Sequence, residues 1–187
     1  MLGVAGISAA YGVLQYFGVD PVWGHGVNAF NGRPVSTYGN PNFLSSALAL
    51  LAPLALQEFL TARSVAGTFG WGSLGLLYAA ALIATLTRSS WVGACFGLGL
   101  YLVLDFKTIR TALPRALGWA GSAVILVLAW PGSHSGSARP LARLGELWTG
   151  ITGGAVYGSW HQRLLIWRSA WDMWKDHPWM GKRVGTV

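Results

Sequence analysis

The sequence has few charged residues and a single cysteine. Charged residues make up 10% of its 187 positions, whereas a soluble domain carries about 25%. This scarcity excludes an ordinary water-facing surface, because much of the chain has no charge to present to solvent. The one cysteine, Cys95, also excludes an internal disulfide framework, and its apolar surroundings favour a packing role over a nucleophilic one.

Signatures of common catalytic sites are missing from the sequence. Its four histidines match no metal-ligand spacing, and its six acidic residues lie outside the centres of the apolar stretches. There is no Ser-His-Asp pattern, glycine-rich phosphate loop or zinc motif. We therefore expect no metal site and no cofactor. The lack of carboxylates at span centres also argues against a proton-relay pump. The histidines are His25, His134, His161 and His177.

Long apolar stretches are what the sequence does contain. Hydrophobic residues make up 53% of the chain, and about 20 mostly apolar residues suffice to cross a bilayer core as a helix. The pattern predicts an all-α fold, a polytopic membrane bundle of about five transmembrane helices plus an interfacial helix in a periplasmic tail. The third and fourth spans are expected to form a tight hairpin. The predicted spans lie near residues 2–19, 43–60, 69–87, 89–106 and 116–130.

Basic residues in short loops predict the orientation of these spans. Lys107, Arg110 and Arg115 lie between the fourth and fifth spans, and loops rich in Lys and Arg stay in the cytoplasm. Alternation then places residues 20–42 and the tail 131–187 on the periplasmic side. The tail is basic too, but long segments cross the membrane largely regardless of charge. The net charge of +7 is scattered among these loops and does not indicate a nucleic-acid surface.

A stripe of tryptophans marks the tail. Spacings of three and four residues put five large apolar side chains on one face of a helix over residues 160–176, and Pro178 limits its extension. Tryptophan prefers the bilayer interface, where its ring is buried and its N–H stays hydrated. We expect this amphipathic helix to lie on the outer bilayer surface. The stripe consists of Trp160, Leu164, Trp167, Trp171 and Trp174.

Three arginines are candidates for binding an anionic ligand. Arg33, Arg88 and Arg163 each lie at a loop or helix start on the predicted periplasmic side. A single arginine at such a position is interpreted as structural, since its aliphatic stem can lie in the bilayer while its guanidinium group reaches the interface. Several guanidinium groups together suit a lipid diphosphate, because each grips phosphate oxygens as a fork. Asn42 is a candidate helix N-cap and Asn40 a turn residue, so both are expected to be structural.

Three segments carry motifs in a fixed order. Residues 33–42 contain an arginine followed by Thr-Tyr-Gly-Asn-Pro-Asn, residues 86–93 read Leu-Thr-Arg-Ser-Ser-Trp-Val-Gly, and residues 163–181 end in an Asp-His-Pro and a glycine. Together they resemble the O-antigen ligase family, which includes O-antigen ligases, O-antigen polymerases and related protein O-oligosaccharyltransferases. The likeness extends over most of the chain, from about Gln15 onward.

The resemblance implies an activity and a location. A glycan carried on undecaprenyl diphosphate would be transferred to a lipid or glycan acceptor, a reaction of lipopolysaccharide biosynthesis. The transfer would take place at the periplasmic face of the bacterial inner membrane and would need no metal ion. Arg33, Arg88 and Arg163 would hold the diphosphate and offset its charge as it departs. A histidine would deprotonate the acceptor hydroxyl.

The sequence also departs from the family pattern. The family's proposed base lies in a His-Asn-x-Tyr-like element, and the sequence reaches Val187 before such an element. Arg183 stands where the family pattern has a glycine. The chain is therefore expected to be a fragment with its catalytic base unknown. A non-catalytic membrane module and a transporter fragment remain alternatives.

Overall fold

The computed structural model describes residues 1–22, 30, 32–131 and 159–179. Helices are the regular structure of these ranges and no strand occurs in them, which confirms the all-α prediction there. Residues 132–158 and 180–187, including Arg183, lie outside the described residues. The chain divides into two compact units, Met1–Leu144 and Gly145–Val187. The second unit contains one described helix, α7 (Ser159–Asp176).

The first unit contains the other described helices. They are α1 (Leu2–Tyr16), a 3₁₀ helix (Ser36–Tyr38), α2 (Pro41–Thr61), α3 (Val65–Ala84), α4 (Arg88–Leu104), α5 (Phe106–Thr111) and α6 (Leu113–Leu128).

Two of these helices are long and apolar enough to cross a membrane. They are α2, with 21 residues, and α3, with 20 residues, close to the length that a bilayer core requires. The apolar helices α4 and α6 are shorter, with 17 and 16 residues. The count of about five spans therefore stays a prediction, with two helices that meet the length criterion.

The start of α2 is set by Asn40 and Pro41. The Asn40 side-chain oxygen accepts the backbone N–H of Asn42 at 2.8 Å, so Asn40 is the N-cap. Pro41 follows at the first helical position, where its fixed φ suits the helix and its missing N–H costs nothing. The prediction that Asn42 is the N-cap of α2 is wrong by two residues. Pro41 occupies the first helical position, so the N-cap is the residue before it, Asn40. Asn42 lies inside the first turn with its side chain available for other contacts.

The helix pair α2 and α3 forms the centre of the first unit, and α1 packs along α3. The fully buried Tyr78 of α3 donates its hydroxyl to the Leu2 carbonyl at the beginning of α1, at 2.6 Å. At the other end of α1, Tyr16 shares a buried cluster with Ala84, the last residue of α3. These two contacts show that α1 and α3 run in the same direction.

The helix α4 packs mainly against α2 and makes few contacts with α3, although residues 85–87 connect it to α3. The buried hydroxyls of Ser45 and Ser90 hydrogen-bond at 2.7 Å. Further along, a Cβ at Gly97 would lie 3.5 Å from the Pro53 ring. The turn is short, as the sequence predicts, but the expected close hairpin is not formed, because the complementary surface for α4 lies on α2. Both α2 and α4 therefore begin at the end of the bundle where α3 finishes.

The orientation of this bundle can be tested by labelling single cysteines. On a Cys95→Ser background we expect Arg110→Cys, exposed in α5, to react only from the cytoplasmic side. Ser89→Cys, exposed at the start of α4, should react from the outside in intact cells. A membrane-impermeant maleimide measures both. Labelling of position 110 in intact cells would contradict the predicted topology.

Candidate functional site

The guanidinium group of Arg33 joins three separate parts of the first unit. Its Nε donates to the Thr85 carbonyl at 2.7 Å. One terminal nitrogen donates to the Thr87 hydroxyl at 2.6 Å and to the Asn42 side-chain oxygen at 3.0 Å. The arginine thus connects the segment before α2, the first turn of α2 and the turn between α3 and α4. We call this end of the bundle, with Arg33, Asn40, Asn42 and residues 85–88, the arginine end.

The second candidate, Arg88, opens α4 at the same place. It is the first residue of that helix, and its side chain is partly buried. Its neighbour Thr87 is one of the three residues that Arg33 contacts. Arg33 and Arg88, 55 positions apart in the sequence, therefore lie at the same end of the bundle, because Arg33 contacts the residue that precedes Arg88.

Two helix N-termini converge at the arginine end. The Thr87 hydroxyl, at the N-cap of α4, donates to the Asn42 side-chain oxygen in the first turn of α2 at 3.3 Å. The hydroxyls of Ser45 and Ser90, one turn further on, are 2.7 Å apart. Each helix N-terminus carries roughly half a positive charge on its unpaired N–H groups. The two helix ends, the Arg33 guanidinium group and Arg88, the first residue of α4, place positive charge at this end of the bundle, which suits an anion.

Two residues at or beside the arginine end have unusual backbone angles. Leu86, between the two threonines that contact Arg33, has a φ of +52°. Ser36, three residues after Arg33, has a φ of +50°. Non-glycine residues in this region cost of order 1–3 kcal/mol, and such residues cluster at functional sites. The buried side chain of Leu86 and the hydrogen bond from Ser36 to the Ser8 carbonyl, at 2.6 Å, hold these conformations.

Sequence reasoning missed the threonines and serines of the arginine end. Thr87 directly precedes Arg88 in the second motif, so the sequence shows a threonine beside a candidate residue. Its contact with Arg33 joins residues 54 positions apart, and the sequence pattern does not indicate that contact. The Ser45 and Ser90 pair could not be found either, because its two members lie on helices whose packing the hydrophobic pattern does not specify.

The third candidate, Arg163, lies in the second unit on α7. Its side chain is exposed there, and its part in ligand binding stays a prediction. On the same helix the rings of Trp171 and Trp174 stack with centroids 4.9 Å apart, and the Lys175 ammonium lies 5.8 Å from the centre of the Trp171 ring. This contact between ammonium and indole is a cation–π interaction.

Metal ligands do not gather in the described part of the chain. Among residues 1–22, 30, 32–131 and 159–179, no group of three or more His, Cys, Asp or Glu side chains could hold a metal ion.

Comparison with known proteins gives one match. A family model described as O-antigen ligase matches residues 73–185, which is more than half of the chain and includes Arg88 and all of α7. No curated protein and no solved structure matches the chain.

Proposed function

Because the chain belongs to the O-antigen ligase family, we propose that it binds a glycan linked to undecaprenyl diphosphate and takes part in transferring that glycan to an acceptor. The family and the two long apolar helices make it a membrane protein. We further propose that it is a multi-pass protein of the bacterial inner membrane and acts at the periplasmic face. The proposed acceptor is a lipid or a glycan.

The arginine end is the observation that carries the proposal. A diphosphate needs several hydrogen-bond donors and positive charge close together, and Arg33, Arg88 and the N-termini of α2 and α4 supply both. The site lies at one end of apolar helices. A lipid with its chain along those helices would therefore bring its diphosphate to this end.

The proposed reaction assigns the arginines an electrostatic role. An acceptor hydroxyl attacks the anomeric carbon of the glycan, and the bond from that carbon to the diphosphate oxygen breaks. The leaving diphosphate gains negative charge, which Arg33 and Arg88 offset. A base takes the proton of the acceptor hydroxyl, and we assign that role to none of the described residues.

A binding experiment with matched lipids tests this proposal. We expect the purified chain in detergent micelles to bind undecaprenyl diphosphate at least about tenfold more tightly than undecaprenol, which corresponds to about 1.4 kcal/mol. The two lipids differ only in the diphosphate, so the difference measures headgroup recognition. Native mass spectrometry of the complexes, or a fluorescence titration, gives both affinities.

The control variant is Arg110→Ala, which removes an exposed arginine at the opposite end of the bundle. It should keep the preference for the diphosphate. Equal affinities of the unsubstituted protein for the two lipids would contradict the proposed function.

A further inference from the structure

Gln15 connects α1 to the backbone that carries Arg33. Its side-chain nitrogen donates to the Asp20 carboxylate at 2.9 Å. Its side-chain oxygen accepts two adjacent backbone N–H groups, from Val35 at 3.1 Å and from Ser36 at 2.7 Å. A single amide near the end of an apolar helix thus makes three hydrogen bonds to residues outside that helix.

The backbone at Val35 and Ser36 is shaped to receive this oxygen. Val35 has right-handed helical angles (φ −101°, ψ −25°), and Ser36 has a φ of +50°. A right-handed residue followed by one of positive φ turns successive N–H groups toward one point, which attracts an acceptor. Without an acceptor the two N–H groups would be unpaired in a partly buried place, and the strained angle of Ser36 would lose one of its supports.

Asp20 fixes which way the Gln15 amide faces. A carboxylate only accepts hydrogen bonds, so the nitrogen of Gln15 must face Asp20 and the oxygen must face the backbone. Asp20 is itself held by the Tyr11 hydroxyl at 2.6 Å and by the backbone N–H of Val22 at 3.2 Å. The amide therefore has a defined orientation before any ligand binds.

The hydrogen bonds of Gln15 restrict the backbone of Arg33 through the rigid residue Pro34. Pro34, between Arg33 and Val35, is fully buried, and its ring fixes its φ. Holding the N–H groups of Val35 and Ser36 therefore holds the backbone of Arg33. From that position the guanidinium group reaches the Thr85 carbonyl.

We infer that Gln15 is a positioning residue for the diphosphate site, which orients Arg33 through the backbone of residues 34–36 and is itself oriented by Asp20. The inference rests on the proposed function for its ligand. Gln15 need not touch that ligand, since its effect passes through Arg33.

The first test uses affinity for undecaprenyl diphosphate. Gln15→Leu should weaken binding about tenfold, because the two N–H groups lose their acceptor and the backbone of Arg33 is no longer held. Gln57→Leu, the same substitution at an exposed site on α2, should leave the affinity unchanged. If Gln15 acts through Arg33, Gln15→Leu should weaken binding by less than twofold when Arg33 is already replaced by lysine. An equal loss in both backgrounds would overturn the inference.

A paired exchange guards against a variant that simply fails to fold. In the double variant Gln15→Glu with Asp20→Asn, a carboxylate oxygen faces the two backbone N–H groups and the other accepts from the asparagine nitrogen. The hydrogen-bond pattern and the net charge are both kept. Gln15→Glu alone sets two carboxylates against each other and should weaken binding. The exchange should recover affinity to within about threefold of the unsubstituted protein, and failure to recover would contradict the inference.

A ligand-free measurement separates this inference from the proposed function. The Nε–H of Arg33 donates to a backbone carbonyl, so its proton should exchange slowly with water. Magnetic resonance of arginine-labelled protein should show that protection lost in Gln15→Leu and regained in the paired exchange. Unchanged protection in Gln15→Leu would overturn the positioning role. Protection that follows this pattern supports it, even if the diphosphate lipid itself fails to bind.

Discussion

Replacing Arg33 by lysine is expected to weaken binding of undecaprenyl diphosphate about tenfold or more and to lower the free energy of unfolding by about 2 kcal/mol. Arg33 uses two of its nitrogens to bond the Thr85 carbonyl, the Thr87 hydroxyl and the Asn42 side chain. Lysine has one nitrogen on a flexible stem and cannot reproduce that fork. A lysine therefore loses the geometry that holds the Thr85 carbonyl together with the Thr87 hydroxyl and the Asn42 oxygen, and the contacts of the arginine end are weakened.

The measurements are a lipid titration and thermal unfolding in the same detergent. Arg110→Lys, at an exposed position of α5, is the matched control and should change neither quantity. Arg88→Lys should also weaken lipid binding, because the same argument about forked donors applies to its guanidinium group. Near-normal binding by both Arg33→Lys and Arg88→Lys would contradict the diphosphate proposal.

Introducing leucine at Gly75 should separate α6 from α3. A Cβ at Gly75 would lie 3.0 Å from the Trp119 indole nitrogen and 3.2 Å from a carbon of the same ring. Trp119 is held there, since its N–H donates to the Gly72 carbonyl at 3.4 Å. Close packing of helices in membranes depends on such small residues. Because a leucine adds three further carbons beyond that Cβ, we expect destabilisation of about 1–3 kcal/mol.

Gly70→Leu on the same helix is the control for this substitution. Nothing lies within 4 Å of a Cβ at Gly70, so the added side chain meets open space. Thermal unfolding of both variants, followed by size-exclusion chromatography, gives the comparison. Equal unfolding temperatures for Gly70→Leu and Gly75→Leu would show that the contact between α3 and Trp119 does not hold α6 in place.

The helical fold could be predicted because its causes are local. A long apolar run indicates α2 and α3 wherever they lie in the molecule, and the proline after Asn40 marks a helix start within a residue or two. The partner of α4 could not be predicted this way. Its apolar surface is compatible with lipid or with any neighbouring helix, and the choice of α2 depends on matched features such as the Ser45–Ser90 pair.

The candidate site was predictable in its charges and unpredictable in its connections. Arg33 and Arg88 stand out in the sequence because charge is scarce. The role of Asn42 could not be predicted, because an asparagine near a proline usually indicates a helix cap or a turn. In the structure its side-chain oxygen accepts a hydrogen bond from Arg33. Gln15 was visible as a polar interruption of an apolar run, but its partners lie 20 and 21 positions away.

The bond between Arg33 and Thr87 also constrains when the site can exist during biosynthesis. The two residues are 54 positions apart, and a ribosome adds about 5–20 residues per second. Arg33 is therefore made roughly 3–11 s before its partner. During that interval the nascent chain holds one arginine without its threonines or Arg88. The proposed binding of a lipid diphosphate by both arginines would therefore begin only after α3 and the turn that follows it have been synthesised.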